Sequence, residues 1–426
     1  MKTIKLLYFS SLFLIVWLTK LVFYIREFDD SVLFNWIEII LLLFIFLWFL
    51  KDIFKNESNY KININRFGIG IIVMLCLIII ISLVHNLKKQ IITGYDSIAL
   101  YDARARFMLT GKSFKEIVNI APYDFLHKDY YASYPPFTSV LHLIVYVSKI
   151  NIMPGFIYSV FLIMLALAFL VFYKRMKNVN VLFFLSFITI SNPLVFSLSL
   201  VEYTNLPYLL YLFVGTILLY EYIKENKSWQ LMMSLICLTG SFWIRFTEPI
   251  GLLIYLCFIV ISLLTRRKIK LTELIGLLVV IISYLSWKIY ITKIFTGSIV
   301  FGNISSIISE IILGFTNGKF ISVLVFTTKG WIVWLMIYFV MFFCIRKDLK
   351  IANYLFITLV FLTVIGMYYL GIYLFSIEHY WWRDMAHDSI LRSSLFLFPT
   401  SLYILGDKLV ENFLKNKFND NDEESI

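Results

Sequence analysis

One polar stretch in the first half of the chain carries residue types that could perform group-transfer chemistry. Asp96 is followed by Asp102, Arg104 and Arg106, and Tyr134 lies shortly before the next apolar run. A carboxylate in this position could take a proton from an incoming hydroxyl, and the guanidinium groups could hold a phosphate. The other interpretation is a solvated loop in which aspartates and arginines pair locally.

A second polar stretch near the C-terminus combines aromatic, cationic and acidic side chains. Trp382 is more typical of a membrane-interface anchor than of a sugar-stacking surface, whereas Arg383, His387 and Arg392 would suit an anionic lipid headgroup. His379 and His387 do not have the spacing of a known metal site. We therefore assign no metal or cofactor from the sequence, and a divalent cation remains an open alternative.

Two further ionisable residues, Arg245 and Glu248, stand where two apolar runs meet. An unpaired charge at such a place would cost several kcal/mol, so both side chains are expected to pair or to face the interior of the protein. A purely structural ion pair and a role in substrate binding both fit this pattern.

The elements that position these residues must be membrane helices. The chain is 60% hydrophobic and 15% charged, with a mean hydropathy of +0.84, so lipid is expected to be its main solvent. Backbone polar groups in lipid must be satisfied within the segment, which predicts helices for the long apolar runs. The net charge of +11 comes from short basic clusters between these runs, which indicates topology signals and no nucleic-acid partner.

The apolar runs predict an all-α polytopic membrane protein of about twelve transmembrane helices. Because the basic clusters fall on one side, that side is expected to be the cytoplasm of a plasma (inner) membrane, with both termini cytoplasmic. A further apolar run, 137–150, is below spanning length and is expected to lie in the interface or to re-enter. The predicted spans are 5–25, 32–50, 67–84, 154–173, 181–198, 207–223, 229–244, 249–264, 272–290, 323–345, 351–374 and 392–410.

The polar stretches then form outward-facing loops. Residues 97–109, within the first of these loops, have apolar side chains at helical spacing, which predicts an amphipathic helix on the membrane surface. The chain divides into N-terminal spans at 1–66, a core at 67–290 with an outer loop at 85–153, and a C-terminal region at 291–426 with an outer loop at 375–391 and a cytoplasmic tail.

Four segments, taken in order, are similar to the motifs of one enzyme family. In the second segment Asn205 stands where the family usually has Asp, and Glu202 is close enough in sequence to substitute for it. In the third segment a Glu is retained. The four segments are Asp96 with the aromatic-containing helix and the triplet 104–106 that follow it, the turn 202–207, the run 245–249, and the run 392–399.

Through these segments the chain resembles the GT-C-type membrane glycosyltransferases that use polyprenyl-phosphate-linked sugars, including protein O-mannosyltransferase-like and aminoarabinose-transferase-like members. The resemblance implies a GT-C-type bundle in which 67–290 is the catalytic core. It also implies inverting transfer of a sugar from a polyprenyl-phosphate donor to a hydroxyl of a lipid, glycan or protein acceptor. The reaction would take place at the extracytoplasmic face, among membrane lipids.

The resemblance also implies roles for individual residues. Asp96 would be the base that deprotonates the acceptor, and Arg392 would bind the donor phosphate. The remaining implied roles are donor-phosphate binding by Arg383, Arg104 and Arg106, supporting acids at Asp102, Glu202 and Glu248, and sugar or headgroup contacts from Tyr95, Tyr134, His387 and Trp382.

Two other functions remain as alternatives. A polysaccharide polymerase or ligase that uses lipid-linked glycans would share the outward-facing arginines. A transporter or lipid-carrier flippase would favour ionisable residues near the middle of the bilayer and helices broken by Gly or Pro in corresponding halves.

Overall fold

A computed structural model describes most of the chain, and the regular secondary structure of the described residues is entirely helical. The prediction of an all-helical architecture is confirmed for this part of the chain. The described residues are 2–27, 33–56, 65–89, 91–94, 96–119, 134–149, 153–172, 179–246, 249–266, 268–294, 351–378 and 391–406.

The helices are numbered here in chain order. A π-helix, Ser97–Asp102, runs directly into the short helix α4. The α-helices are α1 (Lys2–Arg26), α2 (Leu33–Asn56), α3 (Arg66–Lys88), α4 (Ala103–Leu109), α5 (Phe114–Asn119), α6 (Phe137–Val147), α7 (Phe156–Val171), α8 (Val179–Ser191), α9 (Pro193–Leu198), α10 (Asn205–Glu225), α11 (Ser228–Ile244), α12 (Ile250–Arg266), α13 (Leu271–Ile294), α14 (Ile351–Glu378) and α15 (Leu397–Gly406).

Four of the described helices, α1, α3, α10 and α13, are long and apolar enough to cross a membrane. Shorter apolar helices coincide with further predicted spans, including α7, α11 and α12. These helices identify the chain as a membrane protein. The predicted span at 323–345 lies outside the described residues.

The predicted span at 181–198 is not one continuous helix. It is divided between α8 and α9, because Pro193 has no backbone N–H and so cannot continue the hydrogen-bond ladder. The Asn192 side chain instead accepts hydrogen bonds from the backbone of Leu194 at 2.9 Å and of Val195 at 3.4 Å, which caps the start of α9.

α10 and α11 form the centre of the bundle. Every residue of α10 from Asn205 to Tyr222 is buried, and so is every residue of α11 from Trp229 to Ile244. In contrast, α3 leaves most of its apolar side chains exposed. Helices that are buried all round belong to the interior, whereas an exposed apolar face of a spanning helix is suited to lipid.

The polar segments lie together at one end of the bundle. At the C-terminal end of α1, both carboxylate oxygens of Glu27 accept the backbone N–H of Phe114 at 2.9 Å. At the C-terminal end of α13, the carbonyl of Ile294 accepts a hydrogen bond from Asn119 at 2.9 Å. We call this end the loop end. It comprises the segments 91–94, 96–119, 134–136, 199–204, 245–246 and 391–394.

At the opposite end of the bundle, the start of α1 and the end of α2 lie near the loop between α10 and α11. Asp52, near the end of α2, accepts the backbone N–H of Trp229 at 2.8 Å, and Lys2 donates to the carbonyl of Phe54 at 2.6 Å. Lys270 is hydrogen-bonded to Asn226 at this end. Successive helices therefore alternate in direction, and the basic clusters around 224–227 and 268–270 lie away from the loop end.

α6 does not run from one end of the bundle to the other. It has 11 residues, or about 16 Å, against a hydrocarbon core of about 30 Å. The Tyr134 carbonyl, just before α6, accepts a hydrogen bond from Arg104, and Tyr146, near its C-terminus, is hydrogen-bonded to Asp102. Both ends of α6 thus contact the same surface segment, which agrees with the prediction for 137–150.

α13 packs closely against α11 and α12 at Gly276, and this close packing can be tested by substitution. A Cβ atom at Gly276 of α13 would overlap the hydroxyl of Tyr255 and lie 3.1 Å from Leu235, whereas a Cβ at Gly70 of α3 would meet nothing within 4 Å. We expect Gly276→Ala to lower the free energy of unfolding by about 1–3 kcal/mol, because the three helices would have to move apart.

The matched variant Gly70→Ala should leave stability unchanged or raise it by up to about 1 kcal/mol, because Ala has the higher helix propensity. Thermal unfolding of both variants in the same detergent provides the comparison. Equal effects of the two substitutions would contradict the close approach of α11, α12 and α13.

Candidate functional site

The chain reaches Asp96 through a tight turn at Gly94. Gly94 has φ of 102°, a conformation that favours glycine, and a Cβ there would lie 3.1 Å from the hydroxyl oxygen of Tyr203. The π-helix begins at Ser97, directly after Asp96. Single π-helical turns are frequently found at functional sites, because the wider turn changes the direction of neighbouring side chains.

The π-helix and α4 together form the helix that the sequence predicts at 97–109. Its inner face buries Leu100, Tyr101 and Met108, whereas Ile98 is half exposed. The apolar side chains at helical spacing in 97–109 include Ile98 and Met108, which an α-helical pattern places on one apolar face. The two side chains diverge because a π-turn takes more residues per turn than an α-helix does.

The Asp96 carboxylate is partly buried and lies near two arginines from distant parts of the chain. Burial raises the pKa of Asp96 above its usual range, while the charges of Arg392 and Arg245 act in the opposite direction. The structure therefore brings Asp96 and Arg392, which are nearly three hundred residues apart in sequence, to one place. This is the association that the predicted base and phosphate ligand require.

Tyrosine rings cover both guanidinium groups. Arg245 lies over the rings of Tyr134 and Tyr208, with 5.8 and 5.6 Å from its central carbon to the ring centroids, and it donates a hydrogen bond to the Tyr134 hydroxyl at 3.2 Å. Arg392 lies 5.6 Å from the centroid of Tyr203. Stacking on aromatic rings holds a guanidinium group in place and still allows an anion to approach its edge.

Arg245, for which the sequence leaves a structural ion pair and a substrate role open, lies near this site without being one of the predicted site residues. The signal in the sequence was an arginine at the junction of two apolar runs, which does not by itself distinguish a structural charge from a functional one. Its approach to Asp96 depends on the packing of α11 against the loop end, and that packing is not visible in the sequence.

Asp102, predicted as a supporting acid, belongs to a separate group of side chains. Its carboxylate accepts hydrogen bonds from Arg106 at 2.6 Å and from Tyr146, and it lies 3.5 Å from Nδ1 of His142. These partners hold the pKa of Asp102 below its usual range in spite of burial. Arg106 is paired with Asp102 at the surface, and its predicted role in phosphate binding remains a prediction.

Arg104, also predicted as a phosphate ligand, is turned into the protein. It donates to the carbonyl of Tyr134 at 3.1 Å and lies over the ring of Phe114, with 5.3 Å to the centroid. Phe114 in turn packs against Phe23 and Trp287. In this arrangement Arg104 connects α4 to the start of α6 and to the bundle.

Glu202, the second predicted supporting acid, is fully buried and paired with a lysine. Lys89 donates to its carboxylate at 2.7 Å. A Cβ at Gly155, which precedes α7, would lie 2.8 Å from the same carboxylate, so Glu202 also lies against the N-terminal end of that helix. The positive end of the helix dipole adds to the charge of Lys89. The Glu202 carboxylate is therefore engaged by Lys89 and by the start of α7.

The other predicted site residues lie outside the described part of the chain. Within the described ranges, no group of three or more His, Cys, Asp or Glu side chains could hold a metal ion. The undescribed residues are Tyr95, Glu248, Trp382, Arg383 and His387.

Comparison of the chain with protein-family models, with curated proteins and with solved structures found no match. The described residues form a helical membrane protein whose loop end carries a partly buried carboxylate, Asp96, near two arginines that lie over tyrosine rings.

The surroundings of Asp102 predict how stability depends on pH. Because its pKa is lowered in the folded protein, the stabilisation is fully present above the ordinary pKa of an aspartate and is lost as the pH falls through the lowered value. We expect Asp102→Asn to lower the free energy of unfolding by about 1–3 kcal/mol at neutral pH. Unfolding curves of both proteins across acidic to neutral pH should converge on acidification, and a difference independent of pH would contradict this pairing.

Proposed function

We propose that the protein is a GT-C-type glycosyltransferase that moves a sugar from a polyprenyl-phosphate donor to a hydroxyl of a lipid, glycan or protein acceptor, with inversion. The observation that supports this proposal best is the approach of Asp96 to Arg392 and Arg245 at the loop end. A base beside cations is what such a transfer requires, because a proton must be removed while a phosphate leaves.

In the proposed reaction, Asp96 takes the proton of the acceptor hydroxyl, and the acceptor oxygen attacks the anomeric carbon of the sugar. The bond from this carbon to the phosphate oxygen breaks on the opposite face, and polyprenyl phosphate leaves with the bonding electrons. Arg392 and Arg245 neutralise the phosphate, since guanidinium groups bind phosphate oxygens in a bidentate manner. A base with a raised pKa is a better proton acceptor than an ordinary exposed aspartate.

The proposal includes a membrane topology with about twelve spans, both termini in the cytoplasm and the loop end outside. The alternating helix directions and the position of the basic clusters at the opposite end support it. An isoprenoid chain is costly to remove from lipid, so the headgroup has to be met at the interface. The surface segment 97–109 and α6 are well situated for this, because both lie at the loop end.

A transporter is the second candidate, and one observation favours it. Lys20 of α1 and Glu38 of α2 form an ion pair that is almost completely buried in the bundle, and ionisable residues within membrane helices often mark ion pathways. Glu38 also accepts a hydrogen bond from Ser286 of α13 at 2.7 Å. Because the pair is satisfied by its own neighbours, we prefer the transferase.

The first test is turnover of the Asp96→Asn variant. The protein in lipid nanodiscs is mixed with a polyprenyl-phosphate sugar and a hydroxyl acceptor, and release of polyprenyl phosphate is measured. We expect Asp96→Asn to reduce the rate by about 10²–10⁴-fold, because the amide cannot accept the proton, with little effect on unfolding or donor binding. Glu116→Gln, a carboxyl-to-amide change at an exposed position of the same loop, is the matched control.

Near-normal turnover by Asp96→Asn would remove this residue from the role of base. Movement of the intact donor across a bilayer without release of polyprenyl phosphate would favour the transporter instead. Release that requires a diphosphate-linked glycan would favour the polymerase or ligase.

The second test uses the pH dependence of the rate. Only the ionised Asp96 accepts a proton, so the rate should rise with pH through its pKa. Arg245 acts to lower that pKa, so Arg245→Met should raise it further and shift the low-pH limb of the rate profile to higher pH. Lys115→Met removes an exposed cation from the same loop and should leave the limb in place. A limb that moves to lower pH would contradict the proposal.

A further inference from the structure

Lys89 follows the last residue of α3 and connects this helix to the turn 199–204. Its ammonium group donates to the carbonyl of Leu200 at 2.9 Å and to the carboxylate of Glu202 at 2.7 Å. The side chain of Lys89 is 7% exposed and that of Glu202 is fully buried. Neither contact belongs to the Asp96 site.

Two more side chains of α3 bind the same turn. Asn86 donates from its amide nitrogen to the carbonyl of Ser199 at 2.8 Å, and the Ser82 hydroxyl lies 3.1 Å from the Ser199 hydroxyl. Ser82, Asn86 and Lys89 are spaced by four and then three residues, so they lie on one face of α3. This face fixes the turn at several points along its backbone.

The other side of the turn contacts both halves of the site. The hydroxyl of Thr204 is 3.3 Å from that of Tyr101, which belongs to the π-helix that follows Asp96. The ring of Tyr203 lies under the guanidinium group of Arg392 and also against Gly94. A displacement of the turn would therefore change the position of Asp96 relative to Arg392.

We propose that Lys89 is a positioning residue, which fixes the turn 199–204 and thereby sets the separation of the Asp96 carboxylate from the Arg392 guanidinium. Lys89 also lies only seven residues before Asp96, so it holds the chain that leads to the base as well as the turn beside it. The geometric part of this inference stands alone, whereas its effect on turnover rests on the proposed function.

A simpler role for Lys89 would be to neutralise the buried Glu202. The single variant Lys89→Met cannot separate the two roles, because it leaves an uncompensated buried charge and could fail to fold. The double variant Lys89→Met/Glu202→Leu removes both charges, and replacing a buried ion pair by apolar side chains is often neutral for stability. The double variant still lacks the hydrogen bond from Lys89 to the Leu200 carbonyl. Any change in the position of the turn that it shows is therefore not caused by an uncompensated charge on Glu202.

The first measurement does not depend on activity. Nitroxide labels are placed at Ile98, on the surface helix after Asp96, and at Phe184 on α8, both of which are exposed, in a cysteine-free background. The distance distribution between them is measured by double electron–electron resonance. We expect it to shift or broaden in the folded double variant but not in Lys88→Met, which removes the neighbouring exposed lysine. An unchanged distribution in the double variant would overturn the inference.

The second measurement is the transferase assay. We expect kcat of the double variant to fall by about 10–100-fold with little change in KM for the donor, because small displacements of catalytic groups have effects of this size. Equal kcat in the folded double variant and the wild type would overturn the positioning role. If the wild type releases no polyprenyl phosphate, the proposed function fails, and the label distances alone decide the role of Lys89.

Discussion

Three carboxylates at the loop end are wholly or partly buried, and each lies near cations that come from other parts of the chain or from the next helical turn. Asp96 has Arg392 and Arg245, Glu202 has Lys89, and Asp102 has Arg106 with His142 close by. An unpaired buried charge is strongly destabilising, so these partners cannot be exchanged independently. Because each buried carboxylate needs its cation, four parts of the chain have to stay together at the loop end. They are the C-terminal ends of α3 and α11, the turn 199–204 and the segment before α15.

These carboxylates differ in how closely their partners enclose them, and therefore in how easily a ligand could reach them. Glu202 and Asp102 are enclosed by their own partners and by helices α7 and α6. Asp96 lies near Arg392 and Arg245, and both of these guanidinium groups lie over tyrosine rings. Among the described residues, Glu202 and Asp102 form close ion pairs, whereas Asp96 is influenced by the charges of Arg392 and Arg245.

The sequence predicted an all-helical membrane protein because long apolar runs are local signals. The pairing of Asp102 with Arg106 could also be predicted from the sequence, since the two residues are four apart on a helix. The pairing of Glu202 with Lys89 was not, because 113 residues separate them and only the packing of the turn on α3 brings them together. For the same reason the sequence did not predict the Lys89 partner of Glu202 or the approach of Arg245 to Asp96.

The burial of α10 from Asn205 to Tyr222 has a consequence for how the protein is made. This helix carries tyrosines, a threonine and a glutamate on surfaces that only other helices cover, and it is less apolar than the exposed α3. Bare lipid is therefore a poor environment for α10 as it leaves the ribosome. Its main partner α11 follows after only Asn226 and Lys227, with Asn226 in a left-handed conformation that reverses the chain. The two helices are thus built to enter the membrane as a hairpin, each covering the other before the rest of the bundle assembles.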